Sequence, residues 1–259
     1  MSMKSLEGKT ILITGAAGGL GSEFARQLLA LGAHILLTDR DKDGLNALIE
    51  PAYPGKGKIL GAIVSDISDA AGCLDLYNEV YRRAPSLDML INNAGMINYG
   101  NFWDIPDAPW ETLISVNLLA PMRLSHLFAA DMVKNGQGHI AFVCSLSGIA
   151  ATAMSAPYSA SKFGIRGFAM ALARELKDKG VKTSIIYPSW VNTRLLQSPE
   201  YGSEKTQSLN SILAEDPAKV VQGAIKGIRK NKVHVCPGLF AKLVWQAAKL
   251  MCITTRQAH

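Results

Sequence analysis

Two side chains at helical spacing, Tyr158 and Lys162 in the segment PYSASK, could together carry out proton transfer. Residues four apart lie on one face of a helix, so the ammonium would lie near the phenol. An ammonium stabilises the phenolate and is expected to lower the pKa of the tyrosine from its usual value of about 10, which gives an acid–base group near neutral pH. A second pair at this spacing, Tyr201 and Lys205, lies in an irregular stretch and is the weaker candidate.

A hydroxyl that could polarise a substrate oxygen precedes this pair. Ser145 follows the apolar run HIAFVC, so we expect it at the carboxyl end of a strand, where it can donate a hydrogen bond as charge develops on the substrate. The neighbouring serines are expected to be turn or helix-surface residues: Ser147, Ser155, Ser159 and Ser161. The four cysteines form no CxxC pair and no metal-ligand spacing, so we predict no metal site.

A glycine-rich turn, TGAAGGLG at Thr14–Gly21, follows the apolar run TILIT and precedes a helical pattern. Glycines let the chain turn sharply from strand to helix and let the backbone come close to a pyrophosphate. The first amides of the helix would then face the phosphates. In this context the turn predicts a dinucleotide site rather than a tight turn alone.

Acidic residues after the next two apolar runs bear on which dinucleotide binds. Asp39 could accept hydrogen bonds from both hydroxyls of an adenosine ribose and repel a 2′-phosphate, which favours NAD over NADP; alternatively it caps the next helix. Arg40 could instead hold a 2′-phosphate, so NADP stays open. Asp66 could accept a hydrogen bond from the adenine amino group, or cap the helix that follows it.

These residues all fall within or beside a repeating pattern of strands and helices. Continuous apolar strands, each followed by a helix, indicate a parallel sheet covered on both faces, and right-handed crossovers give a doubly wound, Rossmann-type α/β fold of about seven strands. Ligands of such sheets bind beyond the carboxyl ends of the strands. The predicted strands are Thr10–Thr14, His34–Thr38, Ile59–Val64, Leu87–Ile91, His139–Cys144, Val181–Tyr187 and Lys232–Val235. The longer predicted helices are Ala70–Arg83, Trp110–Lys134 and Pro157–Lys179.

Length and composition fit one dinucleotide-binding domain over residues 1–259. Of the 259 residues, 48% are hydrophobic and 19% are charged, which excludes a disordered protein. The net charge of +6 is mild, and we expect the basic residues at 226–232 to be a solvated helix end rather than a nucleic-acid site. The sequence shows neither a signal peptide nor a membrane span, and we predict a reduced, cytoplasmic protein.

Several motifs occur in a fixed order along the chain: the glycine turn, Asp66, NNAG at Asn92–Gly95, Asn117, Ser145 and YSASK at Tyr158–Lys162. In this order and spacing the chain resembles the short-chain dehydrogenase/reductase family, from about Leu6 to Thr193. The resemblance implies a nicotinamide cofactor, and hydride transfer between that cofactor and a carbinol or carbonyl carbon.

The resemblance also assigns roles to individual residues. Tyr158 would be the general acid/base, and Lys162 would lower its pKa and bind the nicotinamide ribose. Ser145 would orient the substrate oxygen, and Asn117 would hold a water that links Lys162 to solvent. The cofactor-binding residues expected from the turn, the strand ends and the resemblance are Gly15, Gly19, Leu20, Gly21, Asp39, Arg40, Asp66, Ile67, Asn93, Ala94, Gly95, Tyr158, Lys162, Pro188, Val191 and Thr193.

One position departs from the family pattern. Ser189 follows Pro188 after the sixth predicted strand, where the family usually has glycine. Serine has less freedom at positive φ, so the geometry of this loop is in question. Thr193 still matches the position expected to contact the carboxamide.

The sequence after the sixth predicted strand indicates a substrate loop and a C-terminal helix. Apolar residues at about 189–215 favour a lipophilic alcohol or ketone as the substrate, although they could simply cover the core. An amphipathic helix is predicted at about 239–252, with Leu239, Leu243, Ala247 and Leu250 on one face. We expect this stripe to be buried in its own chain or against a partner subunit; contact of the cationic helix with a membrane surface is the less favoured alternative.

The sequence thus favours an NAD-dependent oxidoreductase that acts on a lipophilic secondary alcohol or ketone. Two alternatives stay open: an NADPH-dependent reductase of 3-oxoacyl thioesters, whose acidic carrier protein would meet the basic residues near Lys226–Lys232, and a non-catalytic nucleotide-binding scaffold. Asp39 argues against the first alternative. The presence of all four expected catalytic residues argues against the second: Asn117, Ser145, Tyr158 and Lys162. The resemblance further implies a homodimer or homotetramer formed through the helix that carries Tyr158 and the helix before it.

Overall fold

The computed structural model describes residues 5–50, 53, 55–193, 195, 198–202 and 214–256, with side chains described as far as residue 248. The strands within them are β1 (Thr10–Thr14), β2 (His34–Asp39), β3 (Lys58–Val64), β4 (Met89–Asn92), β5 (Gly138–Val143), β6 (Val181–Ile186) and β7 (His234–Val235). They form one sheet in the order β3-β2-β1-β4-β5-β6-β7, and every neighbouring pair is parallel. The predicted doubly wound α/β fold is therefore confirmed, and the strand ends differ from the predicted ones by no more than two residues.

Helices join the strands and cover both faces of the sheet. They are α1 (Gly19–Ala30), α2 (Lys42–Ile49), α3 (Ala70–Arg83), α4 (Asp107–Ile114), α5 (Ala120–Lys134), α6 (Ala156–Glu175), α7 (Pro217–Arg229) and α8 (Leu239–Arg256). The single helix predicted at Trp110–Lys134 is in fact α4 and α5 joined by a π-helical segment, Ser115–Leu119. The C-terminal helix α8 runs four residues beyond its predicted end.

The core lies in two layers because successive side chains of a buried strand point to opposite faces. In β1, Leu12 packs into the layer formed with α3, α5 and α6, whereas Ile11 and Ile13 pack into the layer formed with α1 and α7. All three side chains are fully buried. This arrangement accounts for the continuous apolar strands seen in the sequence.

The strand order reverses between β1 and β4, and a crevice opens beyond their carboxyl ends. The hydroxyl of Thr14 ties the two ends together, because it accepts hydrogen bonds from the backbone N–H groups of Asn93 and Ala94, both at 3.0 Å. The loops that follow β1, β2, β4, β5 and β6 all border this crevice.

One helical run, Asp107–Lys134, is long and apolar enough to span a membrane by length and composition, which differs from our reading of the sequence. It consists of α4, the π-helical segment and α5. Leu124 and Phe128 of α5 are fully buried in the core layer between the sheet and helices α3, α5 and α6. Packing within the protein therefore explains why this run is apolar.

Candidate active site

The glycine turn after β1 forms one wall of the crevice. Gly15 has a φ of +63°, and a Cβ atom there would lie 2.7 Å from the Cα of Ala94. At Gly19 a Cβ atom would lie 2.5 Å from Cγ2 of Thr193. Among the described residues no side chain caps the N-terminus of α1, and Gly18 and Gly19 border the crevice, so these amides can bind an anion.

Gly21 does not border the crevice, contrary to the prediction that it contacts the cofactor. A Cβ atom at this position would lie 2.1 Å from the carbonyl oxygen of Gly15 and 2.8 Å from the Cα of Ala16. Glycine is needed here because the first turn of α1 packs directly against the backbone of Gly15 and Ala16. Gly21 is therefore a packing position that fixes the shape of the turn.

Asp39 lies at the end of β2 and holds the turns on either side of it. Its carboxylate accepts hydrogen bonds from the backbone N–H groups of Ala17 at 2.9 Å and Asp41 at 3.1 Å. The cap of α2 is Asp41, which accepts from the N–H of Gly44 at 2.9 Å. The alternative that Asp39 caps the next helix is therefore wrong, and its carboxylate borders the crevice.

The same end of the crevice carries more acidic than basic side chains. Arg40 is accompanied there by Asp39, Asp41 and Asp66. A hydrogen bond from Ser68 lowers the pKa of Asp66, and the charge of Arg40 adds to this effect. Asp66 does not cap α3 either, because Asp69 accepts the N–H of Gly72 at 2.7 Å.

The NNAG segment after β4 lies along the floor of the crevice. The amide of Asn93 donates to the carbonyl oxygens of Thr14 at 2.9 Å and Gly15 at 3.0 Å, which fixes the floor to the glycine turn. Gly95 lies between the two ends of the crevice. A Cβ atom on it would lie 3.4 Å from Oδ1 of Asn117 and 3.7 Å from Nζ of Lys162.

Ser145, Tyr158 and Lys162 come together at the far end of the crevice. Ser145 follows β5, and α6 presents Tyr158 and Lys162 on one side, so that all three border the same space. Nζ of Lys162 lies 5.5 Å from the centre of the Tyr158 ring and donates a hydrogen bond to the carbonyl oxygen of Val143 at 3.1 Å. Both α6 side chains are buried.

Burial controls the ionisation of this pair, which differs from the expectation that Lys162 lowers the pKa of the phenol. Loss of hydration raises the pKa of Tyr158 well above its usual value, and the hydrogen bond with Ser145 opposes that rise. The same loss of hydration lowers the pKa of Lys162. A low-dielectric environment disfavours both charged forms, and the ammonium is engaged by Val143.

Asn117 lies beneath the crevice and does not border it. Its Oδ1 accepts the N–H of Met96 at 2.8 Å, and its Nδ2 donates to the carbonyl oxygen of Met96 at 2.8 Å and to the hydroxyl of Ser161 at 3.2 Å. The side chain therefore joins the π-helical segment to the loop after β4 and to α6. These contacts use both amide protons and engage Oδ1, and the role of holding a water stays a prediction.

The expectation that the neighbouring serines lie in turns or on helix surfaces is wrong for Ser159 and Ser161, which are buried in α6. Ser155, Ser159 and Ser161 are buried. Ser161 donates to the carbonyl oxygen of Tyr158 at 2.7 Å, and the hydroxyls of Ser155 and Thr152 lie 2.8 Å apart. They fix the start of α6, which is the part of the helix that carries Tyr158.

Ser189 adopts its place without backbone strain. Among the described residues the non-glycine positions with positive φ are Met154 and Asn231, so the serine found in place of the family's glycine is not forced into that region. Its hydroxyl oxygen is buried beside the crevice and has no hydrogen-bond partner within the described part of the chain. The predicted cofactor residues Pro188, Val191 and Thr193 border the crevice with it.

Comparison with known proteins identifies this arrangement. The sequence model of the short chain dehydrogenase family matches residues 9–202. The chain belongs to the short-chain dehydrogenase/reductase family. It is an oxidoreductase that acts on hydroxyl or keto groups with a nicotinamide cofactor, as its relatives are.

Relatives of this short-chain dehydrogenase carry different substrate names. Human "Epidermal retinol dehydrogenase 2" is 31% identical over 90% of this chain and 74% of that protein. "D-beta-hydroxybutyrate dehydrogenase" of Cupriavidus necator is 35% identical over 74% of each. A metagenomic short-chain oxidoreductase solved "in complex with NADP" is 30% identical, with a TM-score of 0.73 over 90% of this chain and 99% of that chain.

The substrate end of this short-chain dehydrogenase combines Leu195 of the predicted substrate loop with apolar residues from segments far apart in the chain. The whole crevice has a volume of about 800 Å³. Near Tyr158 its walls are apolar and come from distant segments: Ile97, Tyr99, Val116, Leu195, Phe240 and Val244. Tyr99 packs in one buried cluster with Tyr158 and is joined to Glu200 by a β-bridge. Such long-range contacts leave no periodic signal in the sequence.

The predicted substrate loop is described only in part. A β-bridge between Val191 and Glu215 holds its ends together, and Tyr201 donates its backbone N–H to the carbonyl oxygen of Tyr99 at 2.8 Å. Lys205, the partner in the weaker tyrosine–lysine pair, lies outside the described residues, as do Leu196, Leu209, Ile212 and Leu213.

Proposed function

We propose that this short-chain dehydrogenase interconverts a lipophilic secondary alcohol and its ketone, with NAD as the preferred cofactor. The observation that carries the proposal is the shared crevice: Ser145, Tyr158 and Lys162 lie at one end, and the glycine turn and Asp39 lie at the other. A dinucleotide lying along this crevice would bring its reactive ring beside the phenol.

The crevice fits a nicotinamide dinucleotide on three observations. The N-terminal amides of α1 can accept a pyrophosphate, and the carboxylate of Asp39 at the end of β2 can accept hydrogen bonds from a ribose. At the opposite end, the buried hydroxyl of Ser189 has no partner among the residues that the structure describes. When bound, the cofactor supplies or accepts the hydride. Gly15, Gly19 and Asn93 shape the phosphate and ribose sites.

The remaining chemistry belongs to side chains of this chain. Tyr158 donates its phenolic proton to the carbonyl oxygen during reduction, or accepts the hydroxyl proton during oxidation. Ser145 donates a hydrogen bond to the same oxygen and so stabilises the charge that develops on it. Lys162 orients the cofactor ribose, while apolar walls exclude water from the reacting atoms.

Charge at the adenosine end supports NAD. Asp39, Asp41 and Asp66 surround Arg40, so a 2′-phosphate would meet more negative than positive charge. The NADP complex of the metagenomic relative shows that the family also accepts the phosphorylated cofactor. An NADPH-dependent 3-oxoacyl reductase is the second candidate, and a titration with both cofactors separates the two proposals.

The apolar walls near Tyr158 support a lipophilic substrate. The name of the human relative, a retinol dehydrogenase, is in line with this chemistry, whereas hydroxybutyrate is small and charged. Within the described residues, no Lys or Arg other than Lys162 borders the substrate end, so a free carboxylate would lack a counter-ion there.

The decisive experiment replaces Tyr158 by phenylalanine and measures turnover and cofactor binding separately. We expect Tyr158→Phe to lower kcat by at least about a hundredfold, because general acid–base catalysis contributes a factor of this size, while NADH binding changes little. The assay uses a panel of lipophilic alcohols and ketones with both cofactors. Near-normal turnover in this variant would show that another group transfers the proton.

We also propose a homo-oligomer and a cytoplasmic location, as expected from the sequence. Of the apolar residues on α6, Phe168, Met170 and Leu172 pack against the core of their own chain. Phe163 is exposed and is left to contact a partner. Light scattering of the purified protein and of Phe163→Ser tests this contact.

A further inference from the structure

The outer face of α8 is apolar and exposed. Leu239 is 73% exposed, Leu243 is 61% exposed and Phe240 is 44% exposed, while Ala241 is fully buried on the opposite side of the helix. Leu239 and Leu243 are therefore not buried in their own chain, which leaves the two other expectations for this stripe, a partner subunit or a membrane surface. The side chain of Leu250 lies outside the described residues.

This exposed face adjoins the substrate end of the crevice. Phe240 and Val244 border the crevice from α8, and the Phe240 ring lies 5.8 Å from that of Trp190, centre to centre. Leu239 and Leu243 each immediately precede one of these two residues, on the outer side of the same helix. Whatever covers them is next to the opening through which a substrate reaches Tyr158.

A basic groove lies on the other flank of α8. Lys242 and Trp245 border it from the helix, together with residues of α7 and of the loop after it. Its six cationic side chains are Lys219, Lys226, Arg229, Lys230, Lys232 and Lys242. In the part of the chain that the structure describes, no Asp or Glu borders this groove.

We propose that the α8 face, defined by Leu239, Phe240, Leu243 and the basic groove, docks on the surface of an anionic lipid bilayer. Apolar side chains that enter the acyl boundary beside cations that meet anionic headgroups are the combination that holds a helix at a membrane surface. The chain's net charge of +6 adds to the attraction.

The charge of this face favours an anionic bilayer over a second copy of the chain as its occupant. Two copies that met face to face about a twofold axis perpendicular to α8 would bring the two basic grooves together. Repulsion between the lysines of the two grooves would oppose such a contact, whereas anionic headgroups attract the same lysines. The charge of the α8 face is therefore complementary to an anionic bilayer.

Docking would place the crevice opening against the bilayer. A lipophilic substrate could then pass from the acyl region to Tyr158 without crossing water, a consequence that rests on the proposed function. The docking itself does not depend on turnover.

The test is flotation of the full-length protein with vesicles. Phosphatidylcholine vesicles containing about one-third phosphatidylglycerol are compared with phosphatidylcholine alone. We expect binding to the anionic vesicles at low salt, at least about tenfold weaker binding to the neutral vesicles, and a marked loss of binding at high salt.

Matched variants locate the contact. The double variant Leu239→Ser/Leu243→Ser should bind anionic vesicles at least about tenfold more weakly, because two leucines no longer enter the acyl boundary. Leu74→Ser is the control, since Leu74 is 48% exposed on α3, away from this face, and should bind as the wild type does.

Three results would overturn the proposal. The first two are wild-type protein that does not float with anionic vesicles at low salt, and a double variant that floats as well as the wild type. The third is a wild-type oligomer that the double variant dissociates in light scattering without any vesicle binding by the wild type, which would assign the α8 face to a second copy. None of these results bears on whether Tyr158 transfers a proton.

Discussion

Tyr158 and Lys162 illustrate how burial can outweigh a neighbouring charge at the scale of single residues. The two groups lie on one side of α6, yet loss of hydration raises the pKa of the phenol and lowers that of the amine. The protonated phenol therefore predominates at neutral pH. In this state the site is prepared to donate a proton, which is the requirement of ketone reduction.

The raised pKa of Tyr158 predicts opposite pH dependences for the two reaction directions. Oxidation requires the phenolate, so its kcat should rise with pH from neutral into the alkaline range. Reduction requires the phenol, so its kcat should fall only at alkaline pH. Steady-state rates in both directions test this, with folding checked at each pH. An oxidation rate that levels off near pH 7 would contradict it.

The proposed preference for NAD rests on the charge of Asp39. We expect Asp39→Asn to lower the ratio of kcat/KM for NAD to kcat/KM for NADP by at least about tenfold, because repulsion of the 2′-phosphate is lost. Asp43→Asn is the control, since it makes the same change of charge in the first turn of α2, outside the crevice. An unchanged ratio would show that other residues discriminate between NAD and NADP.

At the scale of elements, the proposed phosphate site depends on the turn between β1 and α1. The carbonyl of Gly15 lies against Gly21 in the first turn of α1, and the side-chain amide of Asn93, just after β4, donates a hydrogen bond to the same carbonyl. The shape of the turn thus depends on a residue that does not border the crevice.

Gly21→Ala should therefore weaken cofactor binding without touching the cofactor. Its Cβ atom would lie 2.1 Å from a backbone oxygen, so the turn must shift, and we expect the Kd for NAD to rise at least about tenfold. Gly167→Ala is the control on α6, where an added Cβ has nothing within 4 Å. It should bind NAD normally and gain about 0.5–1 kcal/mol of stability from helix propensity. Calorimetric titration and thermal unfolding measure both.

At the scale of the whole molecule, a buried histidine links the stability of the sheet to pH. His139 is fully buried at the start of β5, where Nε2 lies 2.9 Å from the hydroxyl of Ser184 on β6. Ser184 donates to the carbonyl oxygen of Lys232, so the three residues connect neighbouring strands and the segment before β7. Burial lowers the pKa of His139 to about 4.

This lowered pKa predicts a loss of stability in acid. The unfolded chain takes up the histidine proton near pH 6.5, whereas the folded protein resists it until about pH 4, so stability falls between these values. The contribution of His139 is roughly 3 kcal/mol over the whole interval. Denaturant unfolding of the wild type and of His139→Gln should show the smaller pH dependence in the variant. His126→Gln, an exposed control on α5, should behave as the wild type does.

The sequence by itself determined the parallel sheet, its strand ends within two residues, the glycine turn and the family. These features are encoded locally, because apolar periodicity, glycine spacing and strand–helix alternation depend on near neighbours in the chain. The tertiary structure alone decided which aspartates cap helices, that Gly21 packs rather than binds, that burial controls the pKa of Tyr158, and that Leu239 and Leu243 face outward. Each of these depends on hydration or on distances between segments that are far apart in the chain. Neither the hydration of a group nor such a distance can be inferred from a local pattern of residues.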